Sequence, residues 1–266
     1  MNWKWEEMTA PVFDEAVKTT KGVCIVPLGV IEKHGDHLPL GTDLMFVRSI
    51  AEQAAQKEPA VIFPPYYLTQ IHEAKHCPGT VAIRISLMMD LLDNVCDEIA
   101  RNCFRKSLLL NGHGGNESWR PAFACKMLEH KRDFTLYIGR LVDYWGPTLE
   151  DPEWKKMMVT SQDLHGGEVE SSIMLAVRPD LVDMNAVKGP AGGLKRLAHL
   201  PSLLTPIWWY SDAPDHYCGD ARPATREKGQ FLMERLVPRV AALIKAVKDD
   251  QKAPELEKEY FSKIRH

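Results

Sequence analysis

An apolar run followed by a loop rich in acids and imidazoles decides the fold of this chain: Gly22-Val23-Cys24-Ile25-Val26-Pro27-Leu28-Gly29, and then Glu32-Lys33-His34-Gly35-Asp36-His37-Leu38-Pro39-Leu40-Gly41-Thr42-Asp43. The apolar run is typical of a buried strand, and the segment 44–55 that follows the loop has the pattern of an amphipathic helix. The loop would then lie at the carboxyl end of a strand, where open α/β sheets bind their ligands. The sequence therefore predicts an α/β fold with a ligand site in this loop.

The side chains of this loop suit a divalent cation. Carboxylates and imidazoles are ligands that Zn, Mn and Fe accept in proteins. Glu32 and His34 are two residues apart, so in an extended chain they point the same way and could reach neighbouring ions. The alternative is a polar loop in which Asp43 is only the N-cap of the following helix.

A second glycine-rich loop has the same character. The apolar run 106–110 is followed by Asn111-Gly112-His113-Gly114-Gly115-Asn116, and residues 118–130 have a helical pattern. A tight strand-loop-helix turn would present His113 at the same edge of the sheet as the first loop. The alternatives are a plain turn or a phosphate-binding loop, but the lysine of a P-loop is absent, which favours metal ligation by the imidazole.

A third loop carries His165-Gly166-Gly167-Glu168-Val169-Glu170-Ser171-Ser172 and leads into an apolar helical run. Glu168 and Glu170 would lie about 200° apart around that helix, so at most one of them can face a common site. The alternative reading of both is favourable negative charge at a helix N-terminus. Three separate loops of this composition are hard to attribute to capping alone.

Composition bounds the class of protein. The length of 266 residues allows one large domain. The formal net charge of −3 argues against nucleic acid as the main partner. The first residues lack the apolar segment of a signal peptide, and no apolar run approaches the ~20 residues that span a membrane. The six cysteines are scattered without a C-x-x-C pair, as in reduced cytoplasmic proteins. We expect a cytoplasmic protein with one domain over residues 1–250 and a charged, loosely held tail over 251–266.

Apolar runs of strand type alternate with helical patterns along the chain, which is the signature of an α/β domain. The predicted strands lie near 22–28, 60–63, 107–110 and 134–139. The predicted helices lie near 11–19, 43–57, 87–104, 117–130, 168–177 and 225–247.

In these motifs the chain resembles the creatininase family of metal-dependent amidohydrolases, and the resemblance covers roughly residues 5–247. The resemblance rests on the first loop, on Asn111-Gly-His113, on His165-Gly-Gly-x-x-Glu170-x-Ser172, and more weakly on Ala224-Thr225-Arg226-Glu227-Lys228-Gly229. It implies a three-layer α/β/α fold with a mainly parallel central sheet. It also implies a homo-oligomer, a hexamer in that family, and two divalent ions per chain, with Zn, Mn and Fe as the candidates.

The resemblance also implies how the ions would be held. Glu32, Asp43 and His113 would bind one ion, and His34 with Asp43 would bind the other, so that Asp43 bridges the two. The creatinine-hydrolysing pattern has a Tyr-Glu pair after the loop histidine, whereas this chain has glycines at 114 and 115. Glu170 is the nearest candidate for the missing ligand of the second ion.

The substrate wall departs from the family pattern as well. Two tryptophans cover the flat ring of creatinine in that pattern; Trp145 can stand for the first, but the second position holds Ser161. Creatinine itself is therefore not the expected substrate. His37, His72 and His76 are candidate substrate contacts, although His72 and His76, in the irregular stretch 64–80, fit a subunit contact equally well.

Another stretch also has two readings. The aromatic-rich residues 199–222, which include Trp208-Trp209-Tyr210 and His216-Tyr217, fit either a subunit contact or a lid.

The expected chemistry is hydrolysis. A metal-activated water would attack an amide-type, cyclic or linear, C–N bond of a small polar metabolite, and His165 would supply the proton that the leaving group needs. The first alternative keeps the metals but cleaves a cyclic β-diketone C–C bond or a lactone of a sugar or cyclitol, as a dehydro-inositol hydrolase of the family does. The second alternative is a non-catalytic scaffold stabilised by metal, which is disfavoured because structural zinc sites are usually closed Cys/His tetrahedra.

Overall fold

The fold is built on a four-stranded sheet, described here from a computed structural model that covers residues 2–265, with the side chains of residues 141 and 142 excepted. The strand order is β2-β1-β3-β4, and every neighbouring pair is parallel. The strands are β1 (Val23–Leu28), β2 (Val61–Ile62), β3 (Lys106–Asn111) and β4 (Thr135–Gly139). They match the four predicted strands to within one or two residues at each end.

Ten α-helices lie within the described residues: α1 (Ala10–Thr19), α2 (Thr42–Lys57), α3 (Ile85–Arg101), α4 (Arg120–Lys126), α5 (Leu141–Leu149), α6 (Pro152–Met157), α7 (Glu168–Val177), α8 (Trp208–Asp212), α9 (Arg226–Asp249) and α10 (Lys252–Ser262). Short 3-10 turns cover Trp5–Glu7, His72–Ala74, Gly114–Ser118, Pro179–Leu181 and Met184–Ala186. None of the helices in this part of the chain is long and apolar enough to cross a membrane.

The two faces of the sheet bury alternate residues of the same strands. On one face, Val23 and Ile25 of β1 belong to a core formed with α2, α7 and α9. On the other face, Cys24 and Val26 pack into a core formed with α1, α3 and α4. Because successive side chains of a strand point to opposite faces, a fully apolar strand such as β1 requires a helical layer on both sides. The three-layer α/β/α architecture with a parallel sheet is thereby confirmed.

The helix predicted near 117–130 is shorter than expected. It is the α-helix Arg120–Lys126, preceded by the 3-10 turn Gly114–Ser118. Helices α5, α6 and α8 were not predicted, because they are short and carry no long run of helical periodicity.

The two ends of the chain lie along the two edges of the sheet. At the β2 edge, the backbone N–H of Ile62 donates to the carbonyl of Trp3 at 2.8 Å. At the β4 edge, Thr135 donates to Glu257 of α10 at 2.6 Å and Tyr137 donates to Asp250 at 2.7 Å. The expected loosely held tail is therefore mostly a helix, and part of it is hydrogen-bonded to the sheet.

Helices α7 and α9 approach so closely that one contact admits only a glycine. A Cβ built on Gly229 of α9 would lie 1.8 Å from the carbonyl oxygen of Ser172 in α7 and 2.9 Å from the Cβ of Ala176. The missing side chain thus sets the distance between α9 and the helix that carries Glu170.

Gly229→Ala should destabilise the protein even though alanine is ordinarily the better helix former by about 1 kcal/mol. The new methyl group must push α7 and α9 apart, and such overpacking costs about 1–3 kcal/mol. Urea unfolding would measure the change, with Gln230→Ala at the neighbouring exposed position as the matched control. An alanine at 229 that left stability equal or higher would contradict the close approach.

Candidate metal centre

The three polar loops converge at one edge of the sheet. β1 and β3 are parallel neighbours, with Leu28 opposite Asn111, so the loop that carries Glu32 and His34 leaves the sheet beside the loop that carries His113. Asp43 lies in the first turn of α2 and Glu170 in the first turn of α7. The sequence-based expectation that these loops share one edge is met by the geometry.

Asp43 lies between two imidazoles and contacts each with a different oxygen. Its Oδ1 is 3.0 Å from Nε2 of His34, and its Oδ2 is 2.8 Å from Nδ1 of His113. Two potential cation-binding groups share it, Glu32–Asp43–His113 and His34–Asp43–Glu170, and in each the ligand atoms lie within 4.8 Å of one another. These are the two sets of residues expected from the sequence.

His165 joins the same cluster from the side of Glu32. Its ring lies 4.1 Å from the ring of His34, centroid to centroid, and Glu32, His34 and His165 form a third group with metal-ligand spacing. Its Nε2 donates to the carbonyl of Lys33 at 2.8 Å. Burial and the rings of His34 and His216 hold the pKa of His165 well below its ordinary value, although Glu32 opposes this. His165 is therefore a neutral imidazole in this environment.

The field inside the cluster favours positive charge. Burial alone would lower the pKa of His34, but Asp43, Glu170 and Glu32 outweigh it and raise that pKa to about 10. The pKa of His113 is raised well above its usual value because Glu32 and Asp43 likewise overcome burial. Buried carboxylates without cations are costly, so without metal the protons on these two imidazoles balance the charge.

One buried oxygen of the cluster lacks a hydrogen bond. Glu32 Oε1 has no hydrogen-bond partner among the described residues, although it lies 2.9 Å from Nδ1 of His113. An unsatisfied buried carboxylate oxygen is expensive unless a cation meets it. In this structure the protonated ring of His113 is the cation beside that oxygen, and the donor set of carboxylates and imidazoles fits a divalent cation in the same place.

The two glutamates at the start of α7 have different environments, as their angular separation predicts. Glu170 is half-buried and lies 3.8 Å from Nε2 of His34. Burial and the neighbouring acids raise its pKa to about 7, against the opposing effect of His34 and the Gly166 N–H. Glu168 is fully buried on another side of the helix, where it pairs with Lys228 and accepts from the N–H groups of Val159 and Thr160. Only Glu170 faces the cluster.

The four candidate substrate contacts are not equivalent. His37 is buried, and its Nε2 lies 2.7 Å from the hydroxyl of Ser171, so it ties the first loop to α7. The ring of Trp145 is buried in the apolar core, 5.4 Å from that of Phe46. Both side chains are buried, and a contact of either with substrate stays a prediction.

The two histidines of the 64–80 stretch differ in their distance from the site. The hydrogen bonds of His72 are to Gln70, within its own loop. His76 is closer to the site, because its ring lies 6.3 Å from that of His216, which contacts Glu32. Of the four candidates, His76 remains the one beside the cluster at the surface.

Sequence reasoning did not place His216 and Trp209 at the metal centre, because it interpreted their segment, 199–222, as a subunit contact or a lid. His216 is buried, and its Nε2 is hydrogen-bonded to Glu32 Oε2. Trp209 packs edge-on against His165, with the ring centroids 5.8 Å apart. The only signal was the cluster of aromatic residues in 199–222, which carries none of the glycine and carboxylate pattern that marks the other three loops.

Comparison with known proteins gives one family. The family described as creatinine amidohydrolase matches residues 6–244. Creatinine amidohydrolase of Pseudomonas putida is 25% identical over 259 residues, which cover 90% of this chain and 95% of that protein. 3-Dehydro-scyllo-inosose hydrolase of Thermotoga maritima is 27% identical over 267 residues (91% and 83%). Mycofactocin precursor peptide peptidase of Mycolicibacterium smegmatis is 27% identical over 234 residues (85% and 86%).

The fold agrees with this match. A manganese creatininase aligns with a TM-score of 0.80 at 23% identity, covering 94% of this chain and 100% of that chain. A mutant creatininase of the Zn-Zn type gives the same TM-score at 24% identity. Because the family match spans nearly the whole length and the relatives named above are all hydrolases, this chain belongs to the creatininase family of hydrolases.

Proposed function

We propose that this protein is a dinuclear metal-dependent hydrolase that cleaves an amide-type C–N bond of a small polar metabolite. The observation that carries the proposal is the position of Asp43, whose two oxygens belong to two neighbouring ligand groups. A carboxylate shared in this way is what a bridging ligand between two ions requires.

The ligand set supports Zn or Mn as well as Fe. Glu32, Asp43 and His113 would hold one ion, and His34, Asp43 and Glu170 the other. The names of two solved creatininases of the same fold include Mn and Zn, which agrees with this mixture of oxygen and nitrogen ligands. When bound, two such ions lower the pKa of a water and polarise a carbonyl group.

The protein's own part in the reaction is to position groups and to move a proton. His165 donates from Nε2 to the carbonyl of Lys33, so Nδ1 is the nitrogen left to exchange a proton with substrate. Because the ring is neutral, Nδ1 would first take up a proton from the attacking water and then pass it to the leaving nitrogen. In balance, one water is consumed per bond, and the products are a carboxylic acid and an amine.

A second candidate substrate class is a ketocyclitol or lactone. The relative from Thermotoga maritima, named as a 3-dehydro-scyllo-inosose hydrolase, supports this second class. Its sequence identity to this chain is 27%, the same as that of the peptidase relative. The same ligand set would serve both reactions, because each begins with water attacking a carbonyl carbon.

We further propose a homo-oligomer, supported by exposed apolar side chains at Leu203, Leu204 and Ile207.

Removal of the shared carboxylate should empty the centre. We expect Asp43→Ala to lose both ions, because Asp43 belongs to both ligand groups. Elemental analysis of the purified protein would measure this, with Asp36→Ala, an exposed acid of the same loop paired with Lys33, as the matched control. Full metal content in Asp43→Ala would refute the assignment.

The two glutamates of α7 should separate metal binding from stability. Glu170→Gln should lose one ion, whereas Glu168→Gln should keep both. Because Glu168 is the buried partner of Lys228, its replacement should instead cost up to about 3–5 kcal/mol of unfolding free energy. Metal analysis and urea unfolding of both variants would test this, and the reverse pattern would show that Glu168 is the ligand.

The reaction itself can be assigned with a substrate panel. Metal-replete protein should hydrolyse members of a panel of linear and cyclic amides faster than ketocyclitols or lactones, with creatinine a poor substrate. His165→Ala should keep its metals and lose about 100- to 10,000-fold in rate on the best substrate. Turnover of ketocyclitols alone would move the assignment to carbon–carbon hydrolysis. Retained metal without turnover of any compound would favour a non-catalytic scaffold.

A further inference from the structure

A hydrogen-bonded chain runs from an aromatic segment near the surface to one of the proposed ligands. Trp209 in α8 donates from its indole N–H to Nδ1 of His216 at 2.8 Å. His216 in turn is hydrogen-bonded through Nε2 to Oε2 of Glu32. Trp209 is half-buried, while His216 and Glu32 are buried, so the chain leads from the periphery into the interior.

This chain fixes the proton of the His216 ring. Because Nδ1 accepts from the indole, which can only donate, the ring proton must be on Nε2 and is donated to Glu32. Reversal of the ring or a change of tautomer would leave the tryptophan N–H or the glutamate oxygen without its partner. Trp209 therefore sets the tautomer in which His216 can hold Glu32.

The bond from His216 divides the two oxygens of Glu32 between different tasks. Oε2 accepts the hydrogen bond from His216, whereas Oε1 faces Nδ1 of His113 at 2.9 Å. A carboxylate anchored by one oxygen presents the other in a single direction. Glu32 is thus prepared to offer one oxygen to a cation rather than two.

The backbone at His216 limits which residues can replace it without strain. Its φ is +52°, in the left-handed region that non-glycine residues adopt uncommonly and at a cost. A glycine or asparagine would fit this turn more easily. Both ring nitrogens of His216 are hydrogen-bonded inside the protein, so the ring is held in a single orientation.

We infer that Trp209 and His216 are positioning residues that hold Glu32 as a one-oxygen ligand of the metal centre. The inference rests on the proposed function, because it concerns the same centre. His216 itself belongs to none of the potential ligand groups found among the described residues, so it acts through Glu32. Outer-shell partners of this kind typically contribute 10- to 100-fold to metal affinity.

The test is a titration of metal-free protein with Mn²⁺ alone, in which electron paramagnetic resonance measures the free ion at each step and so gives the binding affinity. His216→Asn suits the left-handed backbone but its side chain is too short to reach Glu32, and we expect about 10- to 100-fold weaker binding. His216→Gln carries an amide N–H at about the place of Nε2 and should recover most of the affinity. Trp209→Phe keeps the ring and loses the donor, and should weaken binding, whereas Trp208→Phe at the neighbouring exposed residue should not.

Urea unfolding of the metal-free variants separates positioning from a structural role. Equal metal-free stability of wild type and His216→Asn, with the loss of affinity described above, would support the inference. Unchanged Mn²⁺ affinity in His216→Asn would overturn the inference. It would also be overturned if His216→Asn and His216→Gln lost affinity to the same extent and both were less stable than wild type without metal. A wild-type protein that binds no Mn²⁺ or Zn²⁺ would instead overturn the proposed function, and this inference with it.

Discussion

The contact of one carboxylate, Asp43, with two imidazoles is the interaction on which the site depends. Asp43 can reach both His34 and His113 only because α2 begins directly against the end of β1. Gly29 permits this, since a Cβ there would lie 2.6 Å from the Cα of Leu44. A bulkier residue at the end of the strand would move the first turn of α2, and with it the shared oxygens, away from the loop histidines.

The parallel sheet supplies the rest of the arrangement. Loops that leave neighbouring parallel strands at their carboxyl ends meet without long connections, and the loop after β3 is held in shape by its own polar network. Asn111 accepts from the N–H of His113 and from the side chain of Asn116, while Tyr144 donates to the carbonyl of Asn111. The position of His113 therefore follows from hydrogen bonds within the loop as well as from the strand that precedes it.

Most of the fold and the centre of the site could be predicted from the sequence, for identifiable reasons. Local pattern marked the three loops, because Glu32, His34 and Asp43 lie within twelve residues and His113 and Glu170 each follow a glycine-rich turn or lie within one. The family resemblance, rather than the pattern, implied which of these side chains share an ion. Helical periodicity showed only that Glu168 and Glu170 cannot both face one site, and the resemblance pointed to Glu170. The buried ion pair of Glu168 with Lys228 joins residues 60 positions apart, so no local pattern reveals it.

The residues that sequence reasoning missed are those whose role depends on distant partners. His216 is 184 positions from Glu32 and belongs to a segment whose aromatic composition also fits a subunit contact. Trp145 was expected at the substrate from the family resemblance; in the structure it packs against Phe46 in the core, and a contact with substrate stays a prediction. His37 likewise has a distant partner, because its bond to Ser171 joins the first loop to α7.

The arrangement of the chain termini bears on solubility. A sheet open at both sides offers two rows of unpaired backbone groups, which other chains can extend into aggregates. Here the β2 edge is only two residues long and is met by the segment around Trp3, while the longer β4 edge is flanked by α10. The family match covers residues 6–244, so α10 lies beyond the matched residues. The segment around Trp3 and helix α10, remote from the chemistry, thus occupy the two edges along which another strand could pair with this sheet.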